Sequence, residues 1–222
     1  MGCLTSLQKL CFVEAIQGSD ILRKLGRLTQ LRRLGITKLR REDGMELCSS
    51  IQKLGDLRSL DIISINDDEI IDIQCMSAPP RYLRRLWLQG CLETLPPWIL
   101  SLHSLVKLRL RWSQLGYDPL ESLQALPNLS ELQLRQAYSG DELHFNAGGF
   151  KGLRIIGCEL LEAMPSGIEF LTKLKSLAFA DMDNELIRKL QRKQGNDYSK
   201  IMNIPEVYYT YSECGRWKQI CL

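Results

Sequence analysis

Residues 28–36, with the sequence LTQLRRLGI, decide the fold of this 222-residue chain. Their apolar members follow the pattern L-x-x-L-x-x-L-x-L, which ends in an alternation of Leu34, Gly35 and Ile36. Such an alternation is typical of a strand with one buried face. We therefore expect Leu34 and Ile36 to point into a core, and Arg33 and Gly35 to point away from it.

The same pattern occurs eight times along the chain. The copies begin at Leu4, Leu28, Leu54, Pro80, Leu102, Leu126, Phe150 and Leu171, so that successive starts lie 24, 26, 26, 22, 24, 24 and 21 residues apart. Intervals of this length with this apolar signature are those of leucine-rich repeats, each of which supplies one short strand and a return segment. One repeat cannot cover its own apolar side, because burying three or four large side chains at about 1.5–3 kcal/mol each scarcely balances the ordering of the chain.

Stacking of neighbouring repeats supplies the missing burial. We therefore predict an α/β fold, a leucine-rich-repeat solenoid shaped like a horseshoe. Its parallel β-sheet forms the concave side, and short helices or irregular segments form the convex side.

The segments between the predicted strands differ in kind. Asp118 followed by Pro119 is typical of the start of a helix, because it offers an N-cap and a first-turn proline. Adjacent prolines break a helix interior. The segment LPPWIL at 95–100 is therefore expected to be an extended turn with Trp98 and Ile99 buried.

Residues 184–194 predict one last helix, with Asn184 able to cap it and Gly195 able to stop it. We divide the chain into a leucine-rich-repeat domain of about eight repeats over 1–183, without an N-terminal cap, and a C-terminal helix and tail over 184–222. A solenoid normally needs polar caps on its terminal core. The early start of the first repeat therefore suggests a piece of a longer protein.

Composition excludes several classes of protein. Twenty-nine Lys and Arg against 26 Asp and Glu give a net charge of +3, too small by itself to indicate a nucleic-acid binder. The eight cysteines lie at irregular spacings without a C-x-x-C pair, which argues against zinc. No apolar run approaches the roughly 20 residues of a membrane span. We expect a soluble cytoplasmic protein with reduced thiols, no metal and no cofactor.

The opening MGCLTS fits the N-myristoylation pattern M-G-x-x-x-S/T. The same letters also belong to the first repeat, and we interpret them as repeat sequence. Whether Gly2 is lipidated stays open, and no stable membrane insertion is expected.

Several phrases of the sequence resemble the repeat region of plant disease-resistance proteins of the coiled-coil class. They are LPPWI at 95–99, AGGF at 147–150, MPSGIEFLTKL at 164–174 and NDYSKIMNIPEV at 196–207. The resemblance implies the leucine-rich-repeat region of an intracellular immune receptor. Such a region recognises a pathogen effector or a host guard protein, and it restrains the nucleotide-binding domain of the same or a paired receptor. The chain has no G-x-x-x-x-G-K-S/T loop, so the ATP-driven switch of a complete receptor is not part of it.

Outward positions of the predicted sheet are the candidates for partner contact. The cations at these positions outnumber the acids by seven to three, counting Lys9, Arg33, Arg85, Lys107, Arg109, Arg111 and Arg135 against Asp61, Glu131 and Glu159. Trp and Arg are the residues most enriched at binding hot spots, and a guanidinium can stack on an indole while it pairs with a carboxylate. We therefore predict a site for an acidic protein surface at Arg33, Arg85, Trp87, Lys107, Arg109, Arg111 and Arg135.

Other interpretations remain open at this stage. The arginines could form only a solvated sheet face, with Trp87 filling space between their stems. The chain could be a general leucine-rich-repeat scaffold for signalling complexes without an immune role. Nucleic-acid binding is disfavoured, because Trp87 is the only aromatic residue at these positions and stacking platforms need several. Catalysis is not expected, since neither His103 nor His144 has a neighbouring Cys or Ser that would mark a nucleophile and its base.

Overall fold

The computed structural model describes residues 6–15, 19–140, 142–146, 150–156, 164–180, 182, 184–192, 196–213 and 216–222. The chain forms two compact units, Met1–Ser113 and Gln114–Leu222. Each unit contains a sheet in which strands alternate with helical or irregular return segments. This is the predicted leucine-rich-repeat architecture.

The first unit has five strands that pair in parallel in chain order. They are β1 (Lys9–Glu14), β2 (Arg33–Leu39), β3 (Ser59–Ser64), β4 (Arg85–Gln89) and β5 (Lys107–Arg111). The return segments contain α1 (Ser19–Leu25), a 3-10 helix (Arg41–Asp43) that leads into α2 (Gly44–Ile51), and a second 3-10 helix (Pro97–Ser101). Helices α1 and α2 pack against each other.

Apolar rows that run across the strands form the core of the first unit. Leu34, Leu60, Leu86 and Leu108 are partners on successive strands, and each is at most 2% exposed. A second buried row lies two residues further along each strand and consists of Ile36, Ile62, Leu88 and Leu110. Neighbouring strands lie about 4.8 Å apart, so each side chain packs on its partner in the next repeat. The predicted stacking is confirmed.

The second unit is built in the same way. Its strands are β6 (Glu131–Arg135), β7 (Gly152–Ile156), β8 (Ser176–Ala180), β9 (Glu206–Glu213) and β10 (Arg216–Cys221). Strands β6 to β9 pair in parallel, and β10 pairs antiparallel with β9. Its helices are α3 (Leu120–Leu123), a 3-10 helix (Ile168–Phe170), α4 (Asn184–Gln191) and α5 (Asn196–Ile201). One buried row consists of Leu132, Leu153, Leu177 and Val207.

Two return segments show how the local sequence sets the structure. Asp118 Oδ1 accepts a hydrogen bond of 2.8 Å from the backbone N–H of Leu120, which confirms the predicted cap of α3. The prediction of an extended turn at 95–100 is wrong from Pro97 onward, because Pro97–Ser101 form a 3-10 helix. Pro97 is tolerated there since the first residue of a helix needs no N–H donor. Trp98 and Ile99 are buried as predicted.

Strand β1 departs from the repeat pattern. The pattern places Phe12 in the core, but Val13 is the partner of Ile36 and the register shifts between Leu10 and Val13. The one extra residue in β1 forms a bulge, in which Phe12 has a φ of 60° and is 76% exposed. Gly35, expected to face outward in the open, is buried because the backbone of this bulge lies against it.

The seventh repeat begins three residues earlier than the pattern suggested. Leu153 and Ile155 are the partners of the buried Leu132 and Leu134, so Phe150 occupies the fourth position of the repeat and not the first. The prediction based on Phe150 is therefore wrong in register. Glu159, which that register placed on the outward face, lies outside the described residues.

The C-terminal segment contains more structure than one helix. Helix α4 begins at Asn184 as predicted, and α5 follows it, whereas the predicted stop at Gly195 lies outside the described residues. Strand β9 then pairs with β8 and brings Val207 and Tyr209 into the apolar rows. The sheet thus continues past residue 183, although the domain division there stays a prediction.

Over the described part of the chain, every helix is too short or too polar to cross a bilayer.

Gly44 tests how closely the return segments are packed. A Cβ added at this buried residue would overlap the carbonyl oxygen of Asp72, in the segment that follows β3. We predict that Gly44→Ala lowers the free energy of unfolding by about 1–3 kcal/mol, the usual effect of overpacking. Gly55→Ala is the matched control, because a Cβ there meets nothing within 4 Å. Urea unfolding followed by circular dichroism measures both, and equal stabilities for the two variants would contradict the close packing.

Candidate protein-binding surface

The register that stacks the leucines also aligns the outward side chains of the first unit. Because successive residues of a strand point to opposite faces, matching positions form rows across the sheet. One row is formed by the first residue of each strand, and its members are Lys9, Arg33, Ser59, Arg85 and Lys107. A second row lies two residues further and consists of Gly35, Asp61, Trp87 and Arg109.

A cleft of about 380 Å³, here called the aromatic cleft, lies over these two rows. Five of the seven predicted site residues line it, and they are Arg33, Arg85, Trp87, Lys107 and Arg109. The guanidinium carbon of Arg109 lies 5.7 Å from the centroid of the Trp87 ring, within the range of a cation–π contact. The structure therefore brings the aromatic residue and four cations together.

The other two predicted site residues lie elsewhere. The guanidinium of Arg111 lies 3.8 Å from the ring centroid of Trp112, and its Nη1 donates to Gln89 Oε1 at 3.5 Å. Arg111 is therefore engaged with neighbouring side chains of its own chain, and it does not line the aromatic cleft. Arg135 lies on β6 in the second unit.

Sequence reasoning missed residues contributed by the bulge of β1. Cys11 and Phe12 line the aromatic cleft, because the bulge turns Phe12 out of the core. The repeat pattern does not predict a bulge. The one available signal was that Phe12 and Val13 are adjacent apolar residues, so that either could fill the inward position.

Sequence reasoning also missed a row of arginines next to the sheet. Arg32, Arg58 and Arg84 each precede an outward strand position in the phrases LRRL, LRSL and LRRL. With the strand residues beside them they line a second cleft of about 460 Å³, here called the basic cleft. Its lining residues are Lys9, Arg32, Arg33, Arg58, Ser59, Arg84, Arg85, Val106 and Lys107. The repeated Arg at the second position of L-x-x-L was the available signal.

Among the described residues that line the aromatic cleft, Asp61 is the only acid. Partial burial raises the pKa of its carboxyl group, and the positive charges of Arg33, Arg109 and Arg85 oppose that rise without cancelling it. The carboxyl group therefore lies among three cations, and its ionised form is still less stable in the cleft than it would be in water.

The cysteines of the described residues are free thiols, and they are Cys11, Cys48, Cys75, Cys91 and Cys221. Burial and the neighbouring Cys75 thiol raise the pKa of Cys48 far above its ordinary value. The Cys48 thiol therefore stays protonated at neutral pH, and a protonated thiol is a poor nucleophile. The described residues hold no group of three or more His, Cys, Asp and Glu side chains suited to a metal ion.

Comparison with known proteins gives one family and several relatives. The family model described as "Leucine-rich repeat region" matches residues 1–205. The disease resistance protein RPM1 of Arabidopsis thaliana is 31% identical over 219 residues, which cover 86% of this chain and 23% of that protein. The disease resistance protein PIK6-NP of Oryza sativa is 39% identical over 139 residues, or 59% of this chain and 13% of that protein.

The disease resistance protein RPP8 of Arabidopsis thaliana is 26% identical over 239 residues, which cover 94% of this chain and 26% of that protein. The chain thus spans about a quarter or less of the length of these three relatives.

The raised pKa of Asp61 predicts how pH affects stability. In the unfolded chain the carboxyl ionises near its ordinary pKa of 3.8, whereas in the folded chain it ionises at higher pH. Its charge therefore lowers stability above pH 3.8, and the loss is complete once the pH exceeds the folded pKa. We predict that Asp61→Asn raises the melting temperature at pH 7 and leaves it unchanged at pH 3. The exposed Asp56→Asn is the control, and a lower melting temperature for Asp61→Asn at pH 7 would contradict the assignment.

Proposed function

The chain belongs to the leucine-rich-repeat family, and we propose that it is the repeat region of a plant disease-resistance protein of the coiled-coil nucleotide-binding class. We further propose that its aromatic cleft is a docking site for an acidic protein surface. In this proposal the region contributes to recognition in plant defence by binding a protein. It performs no catalysis itself.

The contact between Trp87 and Arg109 carries the proposal. Trp and Arg dominate the energy of protein interfaces, because they combine a large apolar area with a polar group that can pair across the interface. Trp87 is half-buried in the cleft, so a partner side chain could cover the rest of its ring at a small further loss of side-chain entropy. Arg109 is exposed and keeps donors for a partner carboxylate.

Charge supports an acidic partner. Four cations line the aromatic cleft, namely Arg33, Arg85, Lys107 and Arg109, against the single carboxylate of Asp61. Opposite potentials speed association and exclude partners of like charge. A cleft of 380 Å³ accommodates one or two side chains of a partner, so we expect an acidic loop or turn and not a broad flat surface.

The family resemblance supports a choice of partner. We propose two kinds of protein: a pathogen effector or a host guard protein, and the nucleotide-binding domain of the same or a paired receptor, whose docking would hold that receptor inactive. The three relatives are all disease resistance proteins, which supports an immune role over that of a general scaffold. The same family membership supports a cytoplasmic location.

The proposal predicts which substitutions weaken binding. The double variant Trp87→Ala, Arg109→Glu is expected to reduce affinity for the nucleotide-binding domain of the matching receptor by at least about thirtyfold, because it removes a hot-spot pair worth about 2 kcal/mol or more. Surface plasmon resonance with the immobilised domain measures this change.

A matched control changes an aromatic residue and an arginine outside the cleft. The double variant Tyr82→Ala, Arg154→Glu alters two exposed side chains with the same change of net charge, and it should bind within about threefold of the unaltered chain. Unchanged affinity of the cleft variant, or equal losses for both variants, would reject the aromatic cleft as the docking site.

A further inference from the structure

The basic cleft is lined mainly by positively charged side chains. Of the nine described residues that line it, seven are Lys or Arg and none is Asp or Glu. The lining residues come from the start of each of the five strands and from the residues just before them, and they include Arg32, Arg58 and Arg84. The basic cleft adjoins the aromatic cleft and shares Arg33, Ser59, Arg85 and Lys107 with it, whereas Trp87 and Arg109 line the aromatic cleft alone.

Internal ion pairs leave most of this charge unneutralised. The salt bridges between described residues do not include Lys9, Arg32, Arg33, Arg58, Arg84 or Arg85. Asp61 acts on Arg33 and Arg85 only at longer range. Cations held this close together repel one another unless an anion is bound.

The backbone fixes the spacing of the arginines. The carbonyl oxygen of Arg32 accepts hydrogen bonds from the backbone N–H groups of Arg58 and Ser59 at 2.9 and 3.0 Å. In the same way, the carbonyl oxygen of Arg58 accepts from the backbone N–H groups of Arg84 and Arg85 at 2.9 and 3.1 Å. These bonds keep Arg32, Arg58 and Arg84 in line at the strand spacing of about 4.8 Å, so the row is about 10 Å long. The outward residues Arg33 and Arg85 form a second row beside it.

The chemistry of the lining selects the ligand. Guanidinium and ammonium groups donate hydrogen bonds and accept none, and Ser59 and Val106 are the only other residues in the lining. The matching ligand is therefore an anion rich in acceptors. Phosphate oxygens accept the paired N–H groups of arginine in a bidentate manner, whereas a peptide also presents backbone N–H donors that this lining does not satisfy.

We propose that the basic cleft binds a small, soluble polyphosphate, that is, a molecule carrying several phosphate groups along about 10 Å. One phosphate ion would neutralise only a small part of seven cations, whereas several linked phosphates reach both rows of arginines at once. The two proposed sites share Arg33, Arg85 and Lys107. Each is tested at residues of its own, Trp87 and Arg109 for docking and the row from Arg32 to Arg84 for polyphosphate, so either proposal can fail without the other.

The test is a calorimetric titration of the chain with sodium tripolyphosphate at constant ionic strength. We expect saturable binding with one site per chain. The triple variant Arg32→Gln, Arg58→Gln, Arg84→Gln should bind at least about tenfold more weakly, because it removes charge-assisted hydrogen bonds. The control Arg27→Gln, Lys53→Gln, Arg81→Gln removes the same charge from exposed positions outside the cleft and should bind within about twofold. Absence of saturable binding, or equal losses in both variants, overturns the proposal.

Three further titrations identify the source of the phosphate. A glutamate-rich peptide of equal charge should bind at least about tenfold more weakly than tripolyphosphate, since carboxylates on a peptide lack clustered acceptors. Equal affinity overturns the choice of phosphate. Tighter binding of a single-stranded oligonucleotide, or binding to phosphoinositide vesicles that tripolyphosphate does not displace, overturns the choice of a small soluble ligand.

Two controls distinguish loss of the polyphosphate site from unfolding of the chain and from failure of the docking proposal. Circular dichroism melting must show that both triple variants remain folded. If the variant Arg32→Gln, Arg58→Gln, Arg84→Gln unfolds, the single variant Arg84→Lys replaces it, because it retains the positive charge. That variant should still weaken tripolyphosphate binding by about threefold, because lysine cannot donate in a bidentate manner; unchanged binding overturns the arginine assignment. The variant Trp87→Ala, Arg109→Glu should leave tripolyphosphate binding within about threefold, so a failure of the docking proposal is recognised separately.

Discussion

The structure depends on contact between apolar side chains at equivalent positions of neighbouring repeats. A single strand exposes its apolar face, and only the next strand, about 4.8 Å away, covers it. Leu60 illustrates this constraint, since its strand partners are Leu34 on one side and Leu86 on the other. The same register aligns the outward residues, so the stacking of leucines also produces the rows of cations. The free energy gained by burial offsets the repulsion between these cations.

Most of the fold was predictable from the spacing of leucines, because a period of about two dozen residues identifies both the strands and their inward positions. Prediction failed where other apolar residues compete for a position. At β1, Phe12 and Val13 are adjacent and a bulge selects Val13. At β7, Phe150 fits both the first and the fourth position. Strand β9 was missed because Ile, Val and Tyr replace leucine in the copy that begins at Ile201.

The candidate site was predictable as far as strand alternation determines it. Alternation identified the outward residues around Trp87, and the structure gathers five of the seven predicted residues in one cleft. It could not show that Arg111 stacks on Trp112, since this contact depends on the conformation after the strand. It also gave no weight to Arg58 and its counterparts before each strand, because these positions precede the alternating segment. Residue preferences in the sequence thus predicted the aromatic cleft, whereas the basic cleft could be recognised only from the backbone positions in the structure.

A double-mutant cycle tests the central claim that each repeat is stabilised by its immediate neighbours. Leu60→Ala and Leu86→Ala alter strand partners, whereas Leu34→Ala and Leu108→Ala alter members of the same row separated by two other strands. Urea unfolding of the single and double variants gives the coupling energy of each pair. If neighbouring repeats stabilise each other, the adjacent pair should show coupling of about 0.5 kcal/mol or more and the distant pair none beyond error. Additive effects at Leu60 and Leu86, or equal coupling for both pairs, would contradict this claim.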